Sequence, residues 1–316
     1  MKAPSRRDFL RDAAASLAAA WGVAGARPAD AAPAANANPP FRPRIAICNE
    51  TFRNWPFEKA FAFAAECGYQ GLEIAPFTLA NDVNDVSARR RAQVRRRAEK
   101  SGLEIVGLHW LLSRTKGLHL TSPEADVRRK TTDYLGALAR FCADLGGKML
   151  VFGSPQQRNV LPGVSRAEAL AHAVTVIRGA LPRFEATDVT FAFEPLSPGT
   201  TTFVSTAAEA VELIERVDSP RCRLILDCNA MAHESAPIPE LIRRNARYLA
   251  HFHANDPNRQ GPGMGDLDFV PILAALGRID FRGWISVEVF DYAPGPERLA
   301  RESIEYLRKC LAPAGS

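Results

Sequence analysis

Four side chains in the second half of the chain are of types that hold divalent cations or move protons: Glu194, Asp227, His253 and Glu288. Each closes a short apolar run: Phe191-Ala192-Phe193-Glu194, Leu224-Ile225-Leu226-Asp227, His251-Phe252-His253 and Ile285-Ser286-Val287-Glu288. Taken singly, a carboxylate after such a run is commonly a helix cap or a surface charge, and a lone histidine a hydrogen-bonded core residue. Four in succession are different. If the runs are neighbouring strands their ends converge, and three carboxylates repel one another unless a cation compensates them. One divalent ion meets that need, and three carboxylates with an imidazole are hard-to-borderline ligands that suit Mn²⁺, Mg²⁺, Co²⁺ or Zn²⁺.

The elements that must position these residues are legible from Arg44 onward, where short β-branched or apolar runs alternate with longer helical patterns. The expected strands are 44–49, 71–75, 104–109, 148–152, 190–194, 223–227, 249–253 and 284–288. Helical patterns follow them at 57–67, 87–100, 124–145, 166–186, 206–217, 238–246, 270–276 and 297–311. Eight strands, each followed by a helix, predict an α/β protein with a (β/α)8 TIM barrel over residues 38–316 as a single domain. No GxGxxG follows the first strand, which argues against a dinucleotide-binding sheet. Barrel enzymes work at the C-terminal ends of their strands. His109, with Trp110 beside it, ends the third strand and reads as a substrate-binding residue of that mouth, and Glu73 on the second strand is a further candidate. Either side chain could instead simply fill the barrel.

The first 37 residues do not fit this pattern. A basic start, a small apolar stretch from Ala13 to Ala26 and Ala-rich sequence give the layout of a signal peptide. Ser5-Arg6-Arg7-Asp8-Phe9-Leu10-Arg11 resembles the twin-arginine export motif, and cleavage-like triplets stand at Ala29-Asp30-Ala31 and Ala35-Asn36-Ala37. The expected partner is the twin-arginine export machinery and the expected location periplasmic or secreted. The apolar stretch is too short and too rich in Ala and Gly for a stable membrane anchor. The formal charge of +5 includes five basic and three acidic side chains of this leader, leaving about +3, too little to argue for nucleic acid. The one basic cluster, Arg89 to Arg91 with Arg95 to Arg97, lies in a helical pattern and reads as a solvated helix face. Six dispersed cysteines show no CxxC and read as small core residues.

The chain resembles the xylose-isomerase-like barrels, a superfamily of sugar phosphate isomerases and epimerases, ketose 3-epimerases, hydroxypyruvate isomerase, inosose dehydratase and endonuclease IV. The marks are Gly68-Tyr69-Gln70-Gly71-Leu72-Glu73, Phe193-Glu194-Pro195-Leu196, His251-Phe252-His253-Ala254-Asn255-Asp256, Gly261 to Phe269, and Gly283-Trp284-Ile285-Ser286-Val287-Glu288. The resemblance implies that Glu194, Asp227, His253 and Glu288 bind one divalent ion. It also implies that Glu194 and Glu288 are the acid/base pair on opposite faces of a carbohydrate substrate, working through a metal-stabilised enediolate. Arg259 matches a substrate-binding arginine of the ketose epimerases, although a surface loop arginine would look the same. Two positions depart from those enzymes: Ala230 stands where they carry a histidine, and Thr200 where they carry a glutamate. His233 is a candidate substitute at a different offset. These departures weaken the case for a free ketohexose 3-epimerase. The leading expectation is a metal-dependent isomerase or epimerase of a sugar or keto-sugar. The alternative is a lyase or dehydratase expelling a β-hydroxyl from the same enediolate. A non-catalytic sugar-binding barrel and an endonuclease-IV-like nuclease rank lower, the latter because Ala230 removes a required histidine. Barrels of this kind commonly form homo-oligomers.

Overall fold

The computed structural model describes residues 41–312. The leader expected over residues 1–37, with both cleavage triplets, lies outside the described residues. Eight strands, β1 (Arg44–Cys48), β2 (Gly71–Ile74), β3 (Glu104–Leu108), β4 (Met149–Phe152), β5 (Thr190–Phe193), β6 (Cys222–Asp227), β7 (Leu249–Ala254) and β8 (Trp284–Val287), pair in parallel in chain order. The barrel closes where β8 returns to β1, with Arg44 opposite Trp284 and Ile47 opposite Val287. Around it run α1 (Phe57–Cys67), α2 (Ala88–Lys100), α3 (Ala125–Leu145), α4 (Arg166–Ala186) and α5 (Ala207–Val217). The ring continues with α6 (Cys228–Met231), α7 (Ile238–Arg244), α8 (Phe269–Arg278) and α9 (Pro296–Leu311). The expected strands are all present, within a residue or so at each end.

Local chemistry sets the helix limits. Ser165 and Glu168 form a reciprocal capping box at the start of α4: Ser165 Oγ accepts from the Glu168 amide (3.2 Å), and Glu168 Oε2 accepts from the Ser165 amide (2.9 Å). Gly68 and Gly146 end α1 and α3 in the left-handed region that favours glycine. The arginine-rich α2 is a solvated face: Arg91 pairs with Asp144 at 3.0 Å, Arg95 with Glu99 at 2.8 Å, and Arg97 with Glu58. All six cysteines are free thiols, five of them buried.

Period-two alternation divides the strands between two environments, interrupted by one extra residue in β3 and one in β7. The outward row, including Ile47, Leu72, Leu150, Phe191, Leu226 and Ile285, packs under the helices in the main apolar core. The inward row fills the barrel with two small clusters, Ala46, Val106 and Trp284 in one, and Val151, Ala192 and Ile225 in the other. Two residues beyond Ala192 and Ile225 on the same row come Glu194 and Asp227, and His251, His253, Ser286 and Glu288 continue the row on the last two strands. The inward row therefore changes from apolar to ionisable as it rises toward the C-terminal mouth. The placement of the charged groups follows from the pleat.

Candidate metal centre

Glu194, Asp227, His253 and Glu288 each contribute one ligand atom to a group in which all four atoms lie within 4.8 Å of one another. All four are buried, at 4%, 1%, 0% and 4% exposure. His253 Nδ1 lies 2.9 Å from Glu288 Oε2 and 4.0 Å from Asp227 Oδ2, and it finds no well-directed hydrogen bond. A buried imidazole nitrogen facing three carboxylates, with no well-directed hydrogen bond to any of them, is a donor set that fits a divalent cation.

The other face of the imidazole is fixed from behind. His253 Nε2 approaches the Glu73 carboxylate at 3.2 and 3.3 Å, and His251 Nε2 reaches Glu73 Oε2 at 2.8 Å. A carboxylate accepting from one imidazole nitrogen sets the tautomer and leaves the other free as a ligand. Burial alone would raise the Glu73 carboxyl, but the His251 and His253 charges outweigh it and hold Glu73 well below the usual carboxylate range. Glu73, read from the sequence as a candidate substrate contact, is fully buried beneath the mouth, is not among the residues lining the pocket, and faces His251 and His253.

Asp227 is held by the turn that follows it. Its Oδ1 accepts from the Ala230 amide (2.7 Å) at the N-terminus of α6, and its Oδ2 accepts from Asn255 Nδ2 (2.6 Å). Asn255 in turn accepts from the Asn229 amide at 2.8 Å, tying the ends of β6 and β7 together. Glu194 owes its place to Arg158 and Gly153. The fully buried Arg158 guanidinium donates to the Glu194 carbonyl (2.6 and 2.7 Å) and to the Phe152 carbonyl (3.1 Å), and lies 4.7 Å from the Phe193 ring centre. A Cβ at Gly153 would overlap Glu194 Oε2, so glycine leaves the carboxylate its room.

The crowded carboxylates shift one another's proton affinities. Burial and then Glu288 lift the Glu194 carboxyl well above the usual range. Burial, followed by Glu288, pushes Asp227 up to about 6. Burial opposes protonation of His253, but Glu288 and Glu73 together raise it well above an ordinary histidine. A divalent ion would reverse the first two shifts.

Above the cluster opens a cavity of about 220 Å³, below the roughly 300 Å³ at which drug-sized pockets begin. Three of the four residues, Glu194, Asp227 and Glu288, line it with His109, Trp110, Arg259 and Phe290. His109 is brought to the mouth as expected, its Nε2 2.6 Å from Glu50 Oε2. Arg259 also reaches it. Its carbonyl accepts from the Phe290 and Asp291 amides (2.9 and 2.8 Å), pinning the loop after β7 to the loop after β8, and its guanidinium lies 5.9 Å from the Phe290 ring centre. Trp110 and Arg259 both have left-handed backbone, at φ 53° and 75°, a conformation that costs energy in non-glycine residues and clusters at working sites. Ala230 and Thr200 line the pocket too. His233 does not replace the absent histidine: it is exposed, and its ring bonds back to the Ala230 carbonyl.

The sequence model of the xylose isomerase-like TIM barrel family matches residues 61–310. The chain belongs to that family. Within it, the chain is 26% identical over 277 residues to a probable ketose 3-epimerase of Synechocystis sp., spanning 80% of this chain and 90% of that protein. It is 23% identical over 276 residues to a 3-dehydro-D-guloside 4-epimerase of Escherichia coli, spanning 84% of this chain and all of that one. A solved D-psicose 3-epimerase from Clostridium cellulolyticum, in complex with D-tagatose, superposes with a TM-score of 0.75 at 21% identity, over 85% of this chain and 100% of the other. That likeness is one of fold.

Sequence reading missed Glu50, Arg158 and Asn255. Glu50 had a usable signal, since it stands just past the end of β1 as Glu194 and Glu288 do past theirs. Arg158 had none, because its partners are backbone carbonyls.

Proposed function

We propose that the protein is a divalent-metal-dependent epimerase or isomerase of a keto-sugar, exported by the twin-arginine route to the periplasm. The observation that carries this reading is the convergence of Glu194, Asp227, Glu288 and His253 Nδ1 at the floor of a sugar-sized pocket. A divalent ion there would supply Lewis acidity, polarising a ketone and stabilising the enediolate left when the neighbouring carbon loses its proton.

The chain's own residues divide the remaining work. Glu194 and Glu288 come from staves three apart and can address a carbon held between them from different sides. One of the two carboxylates removes the proton and the other returns one, and the roles exchange in the reverse direction. Two such groups invert the carbon, whereas one shuttling the proton between adjacent carbons would isomerise. Arg259 offers a planar set of donors to hydroxyl or carbonyl oxygens, and Trp110 with Phe290, ring centres 6.4 Å apart, provides an apolar wall for the face of a sugar ring.

Both relatives named above act next to a ketone, by the plain meaning of their names. Ala230 and Thr200 favour a keto-sugar bearing a further substituent over a free ketohexose, because both positions are small where the ketose epimerases carry histidine and glutamate. The test is a proton-exchange screen in D₂O across 3-keto-glycosides, free ketoses and inososes, with metal-depleted and metal-restored protein. Metal-dependent deuterium incorporation with an inverted product supports the reading. Loss of water in place of inversion would make the protein a lyase, and no exchange under any condition would overturn the proposal.

A further inference from the structure

A second group of buried ligand-type side chains lies beside the first. Cys48 at the end of β1, Glu50 just beyond it, His109 after β3 and Glu288 after β8 each offer one ligand atom, and these four atoms also fall within 4.8 Å of one another. Their exposures are 0%, 3%, 1% and 4%. Two of their polar atoms, Glu50 Oε1 and His109 Nδ1, are buried with no hydrogen-bond partner. Buried orphaned donors and acceptors are rare in native proteins, and an absent ion is one standard reason for them.

We propose that Cys48, Glu50, His109 and Glu288 form a second, thiophilic cation site, and that an ion such as Zn²⁺ bound there inhibits the enzyme by taking Glu288 out of proton transfer. A four-coordinate shell with bonds of about 2.0 to 2.3 Å places its ligand atoms about 3.3 to 3.7 Å apart, so modest rotamer changes close this one. The donor set selects the ion: a thiolate, an imidazole and two carboxylates suit Zn²⁺, Co²⁺ or Cd²⁺ and disfavour Mg²⁺. His109 and Glu288 line the pocket, so the ion enters by the same mouth as substrate. On binding, the Cys48 thiol proton and any proton shared between Glu50 and His109 are released to solvent, and the thiolate stays as ligand. Glu288, shared with that ion, would be a weaker base and no longer free to take a proton from substrate.

The inhibitory consequence rests on the function proposed above, while the binding itself does not. The experiment therefore reads binding first. Apoprotein is titrated with Co²⁺ and Zn²⁺, following bound metal per chain and the ultraviolet sulfur-to-cobalt charge-transfer band. The wild type is expected to hold two ions with the band present. Cys48→Ser should hold one with no band, keep its Mn²⁺ binding, and resist Zn²⁺ inhibition. Removing a partner behind a ligand already costs about 10- to 100-fold in metal affinity, so loss of the sulfur should raise the Zn²⁺ needed for half-inhibition at least about 100-fold. Glu50→Gln keeps the thiol and should weaken the second ion alone; it serves if Cys48→Ser does not fold. A wild type that binds one ion with no sulfur band, or a Cys48→Ser protein that still binds two, overturns the proposal. Failure of turnover with the band intact would sink the proposed function and leave this site standing.

Discussion

Neutralising Asp227 should make the metal-free protein more stable while removing its response to metal. In the apoprotein Asp227 is 1% exposed, and burial together with Glu288 moves its carboxyl from 3.8 to about 6. An acid raised in the folded state is penalised when ionised: there is no effect below about pH 3, where both states are protonated, and stability falls as pH rises from there to about 6. The full penalty above that range is about 3 kcal/mol. Asp227→Asn removes it but turns an amide toward Asn255 Nδ2, losing a 2.6 Å hydrogen bond worth about 1 to 2 kcal/mol. The net gain at pH 7.5 is about 1 to 2 kcal/mol, or about 2 to 4 °C in Tm at about 2 °C per kcal/mol for a domain of this size. At pH 4 the hydrogen-bond loss outweighs the small penalty that remains, about 0.5 kcal/mol, and the variant should melt below the wild type. Thermal melts of both chelated proteins at the two pH values, with and without Mn²⁺, make the assay. A variant less stable than the wild type at pH 7.5, or one still stabilised by Mn²⁺ as much as the wild type, would refute the reasoning.

Glu73→Gln leaves every proposed ligand in place but removes the charge that fixes His253 from behind, so Mn²⁺ affinity should fall about 10- to 100-fold by chelator competition; an unchanged affinity would deny Glu73 that role. Gly153→Ala should push Glu194 from its position, cutting proton exchange at least about tenfold while metal-free Tm moves little; normal exchange kinetics would show that the carboxylate has other room. Metal affinity should drop as pH falls through about 6, because Asp227 must shed its proton to bind, and isothermal titration at pH 5 and 7.5 reads this directly.

The barrel was legible because most of its strands alternate cleanly; the exceptions are the irregularities at Val106 on β3 and Ala250 on β7. Phe191-Ala192-Phe193-Glu194 puts phenylalanines under the helices and Ala192 and Glu194 inside, and the same parity places Asp227, His253 and Glu288. Parity fixes which side of the wall a residue faces but not its height in the barrel. Glu73 and His109 share the interior, yet Glu73 lies beneath the imidazoles and His109 reaches the pocket. The single turn of α6 escaped notice because four residues carry no periodicity; it exists because the Asp227 side chain caps Ala230. Arg158 escaped because a guanidinium satisfied by main-chain carbonyls leaves no trace in residue types.

The most direct test is diffraction from crystals of the mature protein grown with Mn²⁺, measured near the manganese absorption edge. An anomalous peak within bonding distance of Glu194, Asp227, Glu288 and His253 Nδ1, with His253 Nε2 still turned to Glu73, is the predicted result. A protein that holds no ion there, or binds it with His253 turned away, would contradict the account.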